Sequence, residues 1–262
     1  MESLLQLVDN ANGFLWNVVL IVLLCGTGIF YTIKLKFIQV RKFGEGFKLL
    51  FGNLGHKGEK KAGEMTPFQS VATAIAAQVG TGNLAGAATA LFGGGPGAIF
   101  WMWIVAFFGM ATIYAEATLA QEYKVVKHGE VTGGPVYYIH AAFKGTFGKV
   151  LGGLFSVFII LALGFMGNMV QSNSIGATME TAFGIPSWVV GIVLIVICAF
   201  IFLGGVQRLA SVTEKVVPLM AAVFLFGGLI VLVVRIKYIP ETFAMIFRYA
   251  FEPQAIVGGG FG

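Results

Sequence analysis

Gly80, Thr81, Gly82 and Asn83 stand together in the middle of an apolar run, with Gln78 and Val79 before them and Leu84, Ala85 and Gly86 after. Each glycine weakens a helix by about 1 kcal/mol relative to alanine, and inside a bilayer the peptide groups so released have no water to satisfy them. The chemistry offered is binding. A half-helix starting at such a break presents N–H groups and the positive end of its dipole to a carboxylate, and the half-helix ending there presents carbonyl oxygens to a small cation. On this reading the helix unwinds at 80–82, Ala77 and Gln78 supply carbonyls, Thr81 supplies a hydroxyl oxygen, and Asn83 donates its amide to the carboxylate. A second reading needs no ligand: Ala72, Ala76 and Gly80, then Gly82, Gly86 and Ala90, are small residues four apart, the spacing of a close-packing seam. Such a seam requires neither Asn83 nor paired glycines at mid-span, where polar groups are costly.

Three further constellations compete for attention. Gly164, Asn168, Gln171, Ile175 and Thr178 recur at spacings of four and three and share one helical face. That stripe is either a polar wall opposite the break, with Gln171 able to hydrogen-bond a substrate, or the wet end of a helix that has left the membrane. Glu116, with Tyr114 and Thr118 nearby, lies six residues from the end of an apolar segment, where a hydrogen-bonded structural or interfacial glutamate competes with a proton relay. His56, His128 and His140 all fall in loops. They pair with no intramembrane serine, which argues against a hydrolase, since a nucleophile needs an orienting base within reach. Cys25 and Cys198 sit inside apolar segments and are read as small packing groups, and no metal-ligand spacing is present.

The elements that must position these residues follow from composition. The chain has 262 residues, 57% of them hydrophobic and 11% charged, too little polar surface to cover a water-soluble globule. A spanning helix needs about 20 mostly apolar residues, and six such segments are expected at 14–33, 67–92, 98–122, 149–182, 187–206 and 214–235. The first is longer than a signal peptide and lacks its basic n-region and cleavage site, so it reads as a retained helix. The net charge of +5 reflects loop topology, not nucleic-acid binding. Basic residues cluster at Lys34, Lys36, Arg41, Lys42, Lys48, Lys57, Lys60 and Lys61, so that loop is expected in the cytoplasm with the N-terminus outside. Alternation then leaves all but Arg235, Lys237 and Arg248 of the 17 Lys and Arg residues on the cytoplasmic side. Trp16, Trp101, Trp103 and Trp188 fall near the outer ends of the segments, as interfacial tryptophans do.

Between the segments, Phe47 to Phe51 is expected as a short interfacial helix. Gly93 to Gly97 is expected as a tight turn that makes the second and third segments an antiparallel hairpin. Gly133-Gly134-Pro135 marks a break before Val136-Tyr137-Tyr138, which either re-enters the membrane or lies along its surface, and Pro186 marks another turn. Residues 241–252 read as amphipathic, and Gly258 to Gly262 as an end without a terminal helix, so the chain is expected to be part of a longer protein.

Several of these runs carry a resemblance. Thr66-Pro67-Phe68-Gln69, Gln78 to Gly86, Gly94 to Trp103, Tyr114-Ala115-Glu116-Ala117 and Gly133 to Tyr138 together resemble the alanine/glycine:cation symporters, also called sodium:alanine symporters, densely over 66–138. The resemblance implies an all-α integral membrane protein with a leucine-transporter-type fold of two inverted five-helix repeats. One extra helix (14–33) would precede a first repeat (67–235) whose first helix is broken, and 241–262 would begin the second repeat. It implies Thr81, Gly82, Asn83 and Gln171 as contacts to an amino acid, and Gly80 and Thr81 near a coupling Na⁺; the carbonyls of Ala77 and Gln78 join that site on the reading of the break given above. The implied activity is Na⁺-coupled uptake of alanine or glycine across the plasma membrane, with no further cofactor, no enzymatic step and no nucleic-acid partner. The oligomeric state is left open. A pore-forming half-module and a non-transporting scaffold are the rival classes.

Overall fold

The computed structural model describes residues 2–52, 66–127 and 130–261. In chain order the elements are α1 (Glu2–Phe14), a π-helical segment Leu15–Leu20, α2 (Ile21–Lys34), α3 (Ile38–Arg41), α4 (Phe43–Gly52), α5 (Pro67–Gln78), α6 (Thr81–Gly94) and α7 (Ala98–Glu122). They continue with strands β1 (Val125–Lys127) and β2 (Glu130–Thr132), α8 (Pro135–Ala142), α9 (Thr146–Ile159), a π-helical segment Ile160–Gly167, α10 (Asn168–Phe183), α11 (Ser187–Phe202), α12 (Gly205–Val234), α13 (Ile239–Tyr249) and α14 (Pro253–Phe261). Among the described residues four continuous helices, Leu5–Lys34, Ala98–Glu122, Thr146–Phe183 and Gly205–Val234, are long and apolar enough to cross a membrane, and Ser187–Phe202 is a shorter apolar helix. The segment expected at 67–92 is the interrupted pair α5 and α6. This is the helical membrane architecture the composition predicts, with one small antiparallel hairpin, Val125 opposite Thr132, added to it.

Local chemistry explains the boundaries. Thr66 and Gln69 form a reciprocal capping box and Pro67 occupies the first turn, so α5 starts where its orphan N–H groups are met. Gly95, at φ +68, turns the chain between α6 and α7, with Gly95 N–H bonded back to Leu91 and Ala98 N–H to Gly95. Gly134 at φ +119 precedes Pro135 at the start of α8. The Phe47–Phe51 stretch belongs to a real helix, α4. The end of the chain is a correction: α14 covers Pro253–Phe261, so a helix stands where none was expected, started by Pro253. His56 and His128, with Lys57, Lys60 and Lys61, lie outside the described residues.

By internal contacts the chain forms two units, one of Met1–Gly46, Asn83–Glu116 and Ile230–Gly262, the other of Phe47–Gly82 and Ala117–Leu229. In the first, α2 meets α7 where Gly28 lies against the Phe108 backbone, and Gln39 Nε2 donates to Thr32 Oγ1 at 2.8 Å and to the Phe107 carbonyl at 3.3 Å. The tip of the α6–α7 hairpin packs on α13 and α14: Gly94 meets Gly258, Gly97 meets the Tyr249 carbonyl, and Trp101 Nε1 donates to the Ala250 carbonyl. Phe100 stacks edge-on to Phe247 at 5.9 Å beside this contact. In the second unit α8 packs on α9 and α10 on α11, the latter pair closing where Gly176 touches Ser187. Among the described residues the buried apolar side chains are mostly alanine, including Ala72, Ala90, Ala98, Ala111, Ala210, Ala250 and Ala255. Small residues bring backbones close, which is how helices associate where apolar surroundings supply no hydrophobic drive.

Candidate functional site: the interrupted helix

α5 ends at Gln78. Val79 is extended (φ −102, ψ 114), its N–H still bonded to the Ile75 carbonyl, and α6 begins at Thr81. The helix is therefore interrupted, but at Val79 and Gly80, not over 80–82. Thr81, Gly82 and Asn83 form the first turn of α6, and Ala77 and Gln78 are the last two residues of α5. An α-helix leaves its first N–H groups and last carbonyls without partners inside the helix. Both kinds of group consequently converge on Val79 and Gly80.

Gln171 answers one side of this break. Its Oε1 accepts from the Thr81 backbone N–H at 3.3 Å and from the Thr81 hydroxyl at 2.9 Å, across 90 residues of chain. Gly80 has no positive φ, so its conformation is open to any residue; what it supplies is room. A Cβ there would lie 2.2 Å from Gln171 Nε2 and 3.0 Å from its Cδ. Around Gly82, by contrast, a Cβ would meet nothing within 4 Å. Gly80, Thr81 and Gln171 are thus brought together, and Gly82 and Asn83 follow them on the first turn of α6, both exposed.

The stripe on the long helix is not a uniform polar wall. Asn168 Nδ2 bonds the Gly164 carbonyl at 3.0 Å, and Thr178 Oγ1 bonds the Ser174 carbonyl at 2.7 Å, each within its own helix. Gly164 lies in the π-helical segment, whose number of residues per turn differs from the α-helical spacing that defined the stripe. Of the stripe, Gln171 reaches the break. Glu116 is exposed on α7 and forms no ion pair among the described residues. His140 is exposed on α8. Cys25 and Cys198 are free thiols.

Two polar contacts absent from the sequence expectations brace α5. Gln69 Nε2 donates to Glu214 Oε2 at 2.7 Å, and Thr73 Oγ1 lies 3.1 Å from Thr213 Oγ1 on α12. Gln69 and Thr213 are buried. The capping box at Thr66 and Gln69 has the local T-x-x-Q spacing, but nothing local marks Glu214 as its partner.

Carbonyl and hydroxyl oxygens suit a hard cation better than a transition metal, and the N–H groups that open α6 suit an anion. Among the described residues no three His, Cys, Asp or Glu side chains converge. The class is an all-α membrane protein with several apolar helices, one of them interrupted. Residues 1–262 match the sodium:alanine symporter family. The chain belongs to that family. It is 43% identical to the sodium/alanine symporter of Methanococcus maripaludis, over 98% of this chain and 56% of that protein. It is 40% identical to an amino-acid carrier protein of Bacillus subtilis, over 100% of this chain and 55% of the relative. A second Bacillus subtilis protein, named as a probable sodium/glutamine symporter, is 39% identical over 100% of this chain and 54% of its own length. The chain spans a little over half the length of these relatives, and all three are named for carrying solutes, none for an enzymatic reaction.

Proposed function

We propose that this chain is part of a plasma-membrane symporter that couples inward movement of Na⁺ to uptake of a small neutral amino acid, alanine or glycine, by alternating access. The observation that carries this reading is the break at Val79 and Gly80 with Gln171 closing on Thr81. In this mechanism the substrate carboxylate docks on the first turn of α6, against the N–H groups of Thr81 and Gly82 and the Asn83 amide, where the helix dipole favours negative charge. Gln171 turns its carboxamide from Thr81 to the substrate. Na⁺ sits on the carbonyls of Ala77, Gln78 and Gly80 and the Thr81 hydroxyl oxygen, and each ligand stabilises the geometry the other needs. The N-terminus lies outside in this scheme, on the charge asymmetry of the loops. The leucine-transporter-type repeat, with 67–235 as its first half, is the architecture we assign to it.

The test is uptake of labelled alanine by the full-length protein in vesicles, with an inward Na⁺ gradient and with K⁺ in its place. Saturable uptake that depends on Na⁺ and competes with glycine is expected. Equal uptake in K⁺ removes the coupling, and an unsaturable conductance in its place favours the pore.

A further inference from the structure

The contacts that brace α5 have a direction. Gln69 Oε1 accepts from the Thr66 backbone N–H at 3.1 Å, as its half of the capping box. That pins the carboxamide and leaves Nε2 as a donor, aimed at Glu214 Oε2. Thr213 gives its own hydroxyl hydrogen to the Ala210 carbonyl at 3.0 Å, so in the Thr73–Thr213 pair Thr73 is the donor and Thr213 the acceptor. Both rungs therefore run from donors on α5 to acceptors on α12. Gln69 and Thr73 are four residues apart on one face, and Ala77 continues the same row about 6 Å further on. The rungs hold the half-helix whose final carbonyls meet the break.

We propose that the rungs Gln69–Glu214 and Thr73–Thr213 are a latch: closed, they keep α5 where its carbonyls can receive the cation, and their release lets the Thr66 end of α5 move so that solute and ion leave past it. This rests on the symport reading above. Gln69 and Glu214 are positioning residues in this scheme and touch neither ligand. A polar rung suits a reversible contact. Closed, each rung is partly shielded from water, and once the helix end loosens water can replace each partner, so both states are satisfied. An apolar contact at the same place would have no satisfied open state.

The capping box dictates the variants. Position 214 must accept, so Glu214→Gln keeps the rung and Glu214→Ala removes it. Gln69→Glu sets two carboxylates against each other. Combining Gln69→Glu with Glu214→Gln reverses donor and acceptor and leaves the box intact, because Glu serves there as well as Gln. Two readouts on the full-length protein in lipid vesicles are needed: hydrogen exchange of the amides of 67–78, and the half-saturating concentration and maximal rate of alanine uptake. Exchange is expected to rise about tenfold in Gln69→Glu and Glu214→Ala, and to return to within about twofold of wild type in Glu214→Gln and in the swapped pair. Half-saturating alanine should rise about tenfold in the two open variants at an unchanged maximal rate, because only the latched fraction binds. A swapped pair that exchanges as fast as Gln69→Glu, or open variants that lose maximal rate at unchanged half-saturation, would overturn the latch. Exchange needs no transported solute, so wild-type uptake indifferent to Na⁺ would sink the symport reading alone.

Discussion

Glycine serves opposite ends of α6 in opposite ways. At the Thr81 end, Gly80 makes room for a side chain, the carboxamide of Gln171. At the far end, Gly94 and Gly97 make room for backbone, that of Gly258 and Tyr249. A side chain can rotate aside at the cost of a rotamer, whereas two backbones held by their own hydrogen bonds cannot. The first arrangement suits a place that exchanges partners, the second a place that must not move.

Substitution can break that contrast. The largest effect is expected at Gly97→Ala, whose new Cβ would lie 2.2 Å from the Tyr249 oxygen and 2.4 Å from its carbon. Overpacking against atoms that cannot yield should cost about 3 kcal/mol or more, read as a lower unfolding midpoint of the purified protein. A midpoint equal to wild type would mean this contact is as yielding as the break. An intermediate effect is expected at Gly80→Ala. It should leave the midpoint nearly unchanged and raise half-saturating alanine about tenfold, and the change should add little in a Gln171→Ala background, because the two residues share one space. Full additivity would separate Gly80 from Gln171. The smallest effect is expected at Gly82→Ala, where a Cβ meets nothing within 4 Å and alanine favours the helix by about 1 kcal/mol. Uptake should stay within about threefold and stability rise slightly. Loss of uptake there would show that the second half-helix unwinds as far as Gly82 during transport, the wider opening that the Gly80 to Asn83 composition suggested.

The position of the break illustrates how far local reasoning reaches. Paired glycines and an asparagine correctly marked an interruption, but residue type alone spread it over 80–82. Thr81 can begin a helix because Gln171 accepts its N–H, so the unwound residues retreat to Val79 and Gly80. Gln171 was recognisable as a polar residue on a face. Its companions Asn168 and Thr178 looked equivalent and are not, since each turns back on a carbonyl of its own helix, and Gly164 lies in a π-helical segment where the α-helical spacing does not hold. Glu214 illustrates the reverse case, a residue without any local signature that becomes the partner of an oriented amide 145 residues away.

Apolar run length, the capping residues Thr66 and Gln69, and the glycines at 95 and 134 act within a few residues, so the chain's membrane class, several of its segment boundaries and the existence of an interrupted helix were determined by sequence alone. Which side chain fills the space at Gly80, and which helix braces α5, were decided only by tertiary structure. Helical periodicity states which residues share a face; it carries no information about what that face will meet when segments 90 or 145 residues apart pack together.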